Sequence, residues 1–160
     1  MSTTQKMKVL CPIDFDVNSL VALDLARDLV RENDGTLFLL HVVATPDPFV
    51  ISAPLMVKRA EDFARIQLEE IARDSLGDVN HHVILRTGRP TEQIIEVAAE
   101  VRAHMVVMAT HGRSGVSRFF LGSVAEKVVR EASCPVLTIR GTSVSEPAHS
   151  DAAAVTRGPS

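Results

Sequence analysis

Five apolar segments alternate with four segments of helical periodicity along this chain, and this alternation is the strongest constraint on its fold. The segments at 7–15 and 36–43 are apolar at consecutive positions, as expected for strands that are buried on both faces of a sheet. Further strands are predicted at 79–85, 105–109 and 135–140. Strands separated by helices pair in parallel through right-handed crossovers. The pattern therefore predicts a single-domain α/β fold, with a five-stranded, doubly wound parallel sheet and helices on both faces.

The helices between these strands are predicted from apolar residues at helical spacing. The first begins at the candidate caps Asp16 or Asn18 and runs to about Glu32, where Asn-Asp-Gly ends it. The third and fourth helices are predicted at about 91–102 and 122–132. The second helix is predicted from about Met56 to Ser75, with an apolar stripe of five residues: Ala60, Phe63, Ile66, Leu68 and Ile71. The third strand is the more polar one, so we expect it near an edge of the sheet.

Composition narrows the class of protein. The chain has 160 residues, of which 46% are hydrophobic and 23% charged, which suits one globular domain with a buried core. A net charge of −3 argues against nucleic acid as the main partner, because binding a polyanion usually needs a basic face. No apolar run reaches membrane-spanning length and no secretory segment is recognisable, so we expect no membrane association and a cytoplasmic location.

Two further expectations follow from composition. Cys11 and Cys134 lie in or beside apolar runs without metal-binding or redox spacing, so they are predicted to be buried free thiols. After residue 140 the chain is rich in Ser, Thr, Ala, Pro and Gly and has no apolar period. Residues 7–140 are therefore predicted to form the domain, between a flexible N-terminus at 1–6 and a disordered tail at 141–160.

Small residues follow the fourth strand, and they carry most of the functional prediction. The stretch Val-Val-Met-Ala-Thr-His-Gly at 106–112 leads into a loop, and Gly122 and Ser123 open the next helix. Glycines allow backbone amides to approach a ligand, and a helix N-terminus adds N–H groups and a positive dipole end. Pro12 and Asp14 end the first strand, which neighbours the fourth where the strand order reverses. These residues are predicted to line one crevice with a phosphate cradle.

Each of these residues also has a structural interpretation. Gly112 can simply punctuate a loop, and Ser123 with Glu126 matches a capping box at the start of a helix. Asp14 can accept hydrogen bonds from loop amides instead of from a nucleoside. Arg113 is placed to neutralise phosphate charge. No residue is assigned a catalytic role, and no metal site is predicted from the protein's own side chains.

The motif residues resemble those of the universal stress protein family, in its nucleotide-binding branch. That branch carries a loop written G-x2-G-x9-G-[S/T] after the fourth strand. Here the spacing runs from Ala109 through Gly112 to Gly122 and Ser123, with alanine in place of the first glycine. The similarity extends over about 7–140 and includes the early Pro-Ile-Asp, the Gly-Arg-Pro turn and the late Val-Leu-Thr-Ile strand.

The resemblance implies a flavodoxin-like or Rossmann-like fold, of the adenine nucleotide alpha-hydrolase-like type, with strand order 3-2-1-4-5. It also implies ATP as ligand, with any Mg²⁺ held through the phosphates. By position, it assigns the adenosine end to Pro12, Asp14 and Val43. It assigns the ribose and phosphates to a second group, beside which Ala109 and Arg113 also lie: Met108, Gly112, Gly115, Gly122, Ser123 and Val124.

A homodimer is expected on two grounds. The resemblance implies that dimers form through the last strand, Val136–Arg140. The physical ground is that Val136, Leu137 and Ile139 make this strand apolar, and an exposed apolar edge strand invites pairing with a second chain. The alternative is that the tail or a helix covers this edge.

Three functions stay open at this point. The first is an ATP-binding stress or signalling module with slow or absent turnover, since the chain has neither a Walker GxxxxGK[ST] motif nor a GxGxxG motif. The second is a dimeric protein-interaction module with a vestigial pocket, which Ala109 favours. The third is an enzyme, a weak ATPase or an adenylyl-transferring relative. Adenylyl-transferring enzymes on similar folds carry an HxGH-type signature, whereas this chain has Thr-His-Gly-Arg there.

Overall fold

The computed structural model describes residues 6–45, 53–110 and 122–140. Within these ranges, strands and helices alternate as predicted. The elements in chain order are β1 (Lys8–Pro12), α1 (Val17–Glu32), β2 (Thr36–Ala44), α2 (Ala53–Ser75), β3 (Asn80–Gly88), α3 (Pro90–Glu100), β4 (Met105–Ala109), α4 (Ser123–Glu131) and β5 (Val136–Ile139). The predicted tail at 141–160 and all but Lys6 of the predicted N-terminal segment lie outside the described residues.

The strands form one sheet in the order β3-β2-β1-β4-β5, and every neighbouring pair is parallel. This confirms the predicted fold class and strand order. β1 and β4, which are far apart in sequence, are neighbours at the centre. The more polar β3 lies at one edge, as predicted, and β5 lies at the other.

Helices cover both faces of this sheet and create two cores. Successive residues of a strand point to opposite faces, so Val9 and Cys11 pack with residues of α1 and α2, while Leu10 packs with residues of α3 and α4. All three of these β1 residues are fully buried. The central strand is therefore apolar at consecutive positions because both of its faces are covered.

Three element boundaries differ from the prediction by three residues, and one of them is the end of β3, which continues to Gly88 instead of ending at Leu85. β1 was expected to continue to Phe15 but ends at Pro12, because proline lacks the N–H that a ladder needs and Phe15 has left-handed backbone with φ of 65°. α2 begins at Ala53 rather than near Met56. Pro54 lies in its first turn, where a helix tolerates proline, so this residue marks the helix start and not the loop.

The buried stripe of α2 also differs from the prediction. Its buried residues are Ala64, Leu68 and Ala72, spaced four apart. Phe63 and Ile66 were expected in the stripe, but they are 58% and 55% exposed. Small alanines at the contact allow the helix to approach the sheet closely, so the larger side chains are turned away from this core. No helix in the described part of the chain combines the length and hydropathy that crossing a membrane requires.

Candidate functional site

A cleft opens at the carboxyl ends of β1 and β4, where Pro12 interrupts the pairing between the two strands. The carbonyl oxygen of Lys8 accepts a hydrogen bond from the His104 N–H at 2.8 Å, so Lys8 faces β4. Backbone groups alternate along a strand, and Pro12 therefore faces β4 as well. Because it has no N–H, it cannot extend the pairing, whose register comprises two residue pairs ending at Leu10 and Val106.

This cleft encloses about 610 Å³, including the space at its open mouth, and has the mainly apolar lining with a few polar groups that is typical of small-molecule sites. Its walls come from the ends of β1, β2 and β4 and from the starts of α1, α3 and α4. The lining is mainly apolar, with three polar side chains: Asp14, Ser19 and His41. The other residues are Pro12, Ile13, Val42, Pro90, Ile94, Met108, Ala109 and Val124.

Several of the predicted site residues are brought together here. Five of them line the cleft: Pro12, Asp14, Met108, Ala109 and Val124. Gly122 and Ser123 lie beside them at the start of α4. Gly112, Arg113 and Gly115 lie outside the described residues. Both flanks of this loop meet at its base, because the Gly122 N–H donates to the Thr110 carbonyl oxygen at 2.7 Å.

Val43 is placed in a second cavity, on the other side of β2, which Phe15 and Phe63 also line. Its neighbour Val42 lines both this cavity and the cleft, as do Asp14 and His41. The Thr36 N–H donates toward β1 and the Thr45 N–H toward β3, so even-numbered residues of β2 direct their backbone groups toward β1. The N–H and C=O of Val42 therefore point to the side where β1 has ended, which is the side of the cleft.

Asp14 has the loop contacts that its structural interpretation required. Its Oδ1 accepts a hydrogen bond from the Asp16 N–H at 3.1 Å, and its own N–H donates to Ser19 Oγ at 3.3 Å. The carboxylate is half-buried and lines the cleft. It is thus anchored through one oxygen in a turn that presents it to the cleft.

The start of α4 differs from the predicted capping box. Gly122, not Ser123, is the N-cap, and glycine has no side chain with which to cap the helix. The Glu126 N–H donates to the Gly122 carbonyl oxygen at 2.9 Å, which places Glu126 one residue too far along for the box. Ser123 is exposed as the first helical residue. Within the described residues, the first-turn N–H groups of α4 thus have no side-chain cap, and they form the positive end of the helix dipole.

Ala109 fits its position without backbone strain. It is the last residue of β4 and is paired in register with Ile139 of β5. Its backbone is extended, whereas glycine is needed only where φ is positive. Its side chain contributes to the cleft wall. The alanine at this position of the loop motif therefore narrows the cleft by one methyl group and leaves the strand intact.

Sequence reasoning missed six lining residues, and His41 has the largest polar side chain among them: Ile13, Ser19, His41, Val42, Pro90 and Ile94. Its Nδ1 donates to the Ile13 carbonyl oxygen at 2.8 Å, since a carbonyl can only accept. One polar residue within the apolar run Leu-Leu-His-Val-Val was the available signal. Ser19, Pro90 and Ile94 gave no comparable signal, because their positions depend on how the helices begin against the sheet.

The cysteines are not part of the cleft. Cys11 is fully buried under α1 and α2, and burial raises the pKa of its thiol. Burial also raises the pKa of the half-buried Cys134, and a hydrogen bond with the Val106 backbone opposes that shift. Both are free cysteines, as predicted. In the described residues, no group of three or more His, Cys, Asp or Glu side chains is arranged to hold a metal ion.

The chain has a doubly wound parallel sheet with a cleft at the point where the strand order reverses. These features place it in the class of α/β proteins in which ligands bind at the carboxyl edge of the sheet. A sequence model of the universal stress protein family matches residues 7–140. The chain therefore belongs to the universal stress protein family, as the motif residues predicted.

Individual relatives agree with this assignment. A universal stress protein of Methanocaldococcus jannaschii is 31% identical over 142 residues, which cover 83% of this chain and 81% of the relative. A universal stress protein of Bacillus subtilis is 30% identical over 149 residues, covering 83% of this chain and 98% of the relative. These matches extend over most of both chains.

Solved structures share the fold at lower sequence identity. The hypothetical protein MJ0577 of Methanocaldococcus jannaschii superposes with a TM-score of 0.79 at 23% identity, covering 87% of this chain and 99% of that one. A universal stress protein in complex with cAMP has a TM-score of 0.63 at 21% identity, covering 83% and 96%. An Arabidopsis thaliana family protein with AMP bound has a TM-score of 0.54 at 20% identity, covering 89% and 97%.

Proposed function

We propose that this protein binds an adenine nucleotide in the cleft between β1 and β4, with ATP as the main ligand. The observation that carries the proposal is the uncapped start of α4, which lies at the same cleft as the carboxylate of Asp14. An anion at that helix N-terminus would bind N–H groups that no side chain of the described residues caps. The two solved relatives with cAMP and AMP support an adenine nucleotide as the ligand class.

The two ends of a nucleotide suit different parts of the site. The apolar walls at Pro12 and Met108 suit a planar base, and the backbone N–H and C=O of Val42 offer it one donor and one acceptor. Asp14 is suited to accept hydrogen bonds from ribose hydroxyl groups. The phosphates would lie at the start of α4, with Gly112, Arg113 and Gly115 of the predicted loop contributing, and any Mg²⁺ would be held through the phosphates.

In this proposal the nucleotide is a ligand that sets conformation or partner choice in a stress or signalling response. Hydrolysis is slow or absent, because the chain has no Walker lysine to reach the terminal phosphates. The two free thiols and the negative net charge fit a cytoplasmic protein that does not act on nucleic acid. The protein acts as a homodimer that pairs through β5.

Calorimetric titration of nucleotide-stripped protein with MgATP, AMP and cAMP tests the binding. We expect micromolar or tighter binding of MgATP. The Gly122→Val variant should bind at least tenfold more weakly, a loss of about 1.4 kcal/mol, because its side chain crowds the start of α4. Gly122 has φ of −59° and ψ of 150°, which any residue adopts, so valine there causes no backbone strain.

Gly77→Val is the matched control for this experiment. Gly77 lies between α2 and β3 at the opposite edge of the sheet, and a Cβ there would meet only the Arg73 carbonyl oxygen, at 3.7 Å. This variant should bind MgATP like the unmodified protein. Absence of binding by the unmodified protein would contradict the proposal and favour a dimeric interaction module with a vestigial pocket. Equal affinity in the two glycine variants would contradict the location of the phosphates.

A further inference from the structure

The turn between β1 and α1 contains one residue with an unfavourable backbone conformation, and this residue follows Asp14 of the candidate site. Phe15, directly after Asp14, has φ of 65°. Left-handed backbone is costly for a bulky residue, because its Cβ approaches the following carbonyl oxygen. Such a conformation persists only where surrounding contacts hold it. The residues that hold this turn therefore control where Asp14 lies.

His41 contacts the turn on both sides of Asp14. On one side, its Nδ1–H donates to the Ile13 carbonyl oxygen at 2.8 Å. On the other side, its ring stacks on Phe15, with ring centroids 4.2 Å apart and planes inclined by 29°. The Ile13 N–H donates to Leu40, the residue before His41, at 2.8 Å. Both backbone groups of Ile13 are therefore bound to consecutive residues of β2.

Phe63 of α2 makes a second aromatic contact with Phe15. Its ring meets Phe15 edge to face, with centroids 6.4 Å apart and planes at 84°. This geometry is favourable between aromatic rings. Phe63 is 58% exposed, so it contributes little to the core beneath α2. The three rings of His41, Phe15 and Phe63 thus connect β2, the turn and α2 above the sheet.

We propose that His41 is a positioning residue of the nucleotide site: its imidazole fixes the turn after β1 so that the Asp14 carboxylate faces the bound ligand. This inference rests on the proposed nucleotide binding and adds the residue that orders the site. The hydrogen bond to Ile13 is the main contact, because it fixes the residue before Asp14 directly. This hydrogen bond needs only the Nδ1–H. The neutral tautomer that is protonated at Nδ1 supplies it, and so does the imidazolium.

Two substitutions separate the hydrogen bond from the ring. His41→Phe keeps a ring that can stack on Phe15 but has no donor for Ile13. His41→Asn keeps an N–H close to the position of Nδ1 and loses the ring. We expect His41→Phe to weaken MgATP binding about tenfold, the size expected for one lost hydrogen bond at a site that needs fixed geometry. His41→Asn should weaken binding less, because its retained N–H can still donate to the Ile13 carbonyl oxygen.

His82 is the matched control, because it lies on the edge strand β3, away from the cleft. Its ring stacks on Phe38 of β2, with centroids 5.2 Å apart and planes inclined by 24°. His82→Phe and His82→Asn should leave MgATP affinity unchanged. Titrations are made well below the unfolding temperature of each variant, so that a loss of stability alone does not change affinity. Equal affinities of His41→Phe and the unmodified protein would overturn the proposal, as would a larger loss in His41→Asn than in His41→Phe.

Amide hydrogen exchange, measured by NMR without nucleotide, provides a second readout. The Asp14 and Asp16 amides are both hydrogen-bonded within the turn, to Ser19 and Asp14. We expect both to exchange about tenfold faster in His41→Phe and to be unchanged in the His82 variants. If the unmodified protein bound no MgATP, the proposed function would fail, and the exchange rates would still decide whether His41 orders the turn. Unchanged exchange in His41→Phe would overturn that role.

Discussion

Phe15 illustrates at the scale of one residue how the site departs from the preferences of its local sequence. Its φ of 65° suits glycine, and yet the chain has a phenylalanine there. The ring contributes contacts with His41 and Phe63 that glycine cannot make. These contacts offset part of the conformational cost, so the turn keeps a fixed geometry rather than a flexible one.

Replacing Phe15 separates the ring contacts from the backbone cost. Phe15→Ala loses the ring and keeps the unfavourable conformation, whereas Phe15→Gly loses both. We therefore expect the glycine variant to have the higher free energy of unfolding, by about 1 kcal/mol, in urea denaturation. At Phe38, which lies inside β2, the order should reverse, because glycine weakens a strand relative to alanine. A glycine variant of Phe15 that is no more stable than the alanine variant would contradict this account.

Individual site residues differed in how far they could be predicted from the sequence. Pro12 and Asp14 were found because they follow an apolar run whose carboxyl end must lie at the edge of the sheet. Val42 and His41 were not found, because they line the cleft only through the register of β2 and the early end of β1. Those two facts are set by pairing between strands, which no local pattern contains.

At the scale of secondary structure, boundaries followed the apolar pattern where both ends of an element were marked. β4 was predicted at 105–109 and is observed at Met105–Ala109, since polar or small residues flank a short apolar run. The start of α2 was placed near Met56, three residues late, because Pro54 was not recognised as a residue of the first helical turn. Proline has opposite meanings in a loop and in the first turn of a helix, and only the packing of the helix decides between them.

β5 is the element on which the proposed dimer depends. It is an edge strand of the sheet, and Leu137 is 38% exposed on it. A charge on an edge strand opposes pairing with another chain. We expect Leu137→Asp to be monomeric in size-exclusion chromatography with light scattering, at a concentration where the unmodified protein is dimeric. The fold should persist, because a partly exposed side chain contributes little to the core.

Val83→Asp is the control for this substitution. Val83 is 40% exposed on β3, the edge strand on the other side of the sheet. This variant should remain dimeric, since it adds the same charge at a similar exposure but away from β5. Dimers of Leu137→Asp, or monomers of both variants, would exclude β5 as the specific interface.

The whole molecule determines the chemistry of Cys11, which lies fully buried at the centre of the sheet. Burial raises the pKa of its thiol above the usual value of 9.0. In the unfolded chain the thiol ionises near that usual value, while in the folded protein it stays protonated. The unfolded state therefore binds fewer protons above pH 9, and the contribution of Cys11 to stability is complete below that pH and decreases as the pH rises.

The alkaline dependence of unfolding measures this effect. Above pH 9 we expect the free energy of unfolding to fall more steeply in the unmodified protein than in Cys11→Ala, by up to about 1.4 kcal/mol per pH unit. Denaturant titrations between pH 7.5 and 10 give the two slopes. Cys134→Ala is the control, and its slope should stay close to that of the unmodified protein, because Cys134 is only half-buried. Parallel slopes for Cys11→Ala and the unmodified protein would contradict the prediction.

The uncapped start of α4 has a consequence for how occupancy of the cleft is communicated. Helix α4 has nine residues and ends at Glu131. Five residues later, at Val136, the chain enters β5. A phosphate at its first turn would supply the cap that the described side chains do not provide and would suppress fraying of this short helix. The bound nucleotide would then be a part of the secondary structure, and its release would first loosen the segment next to β5, the strand of the proposed dimer interface.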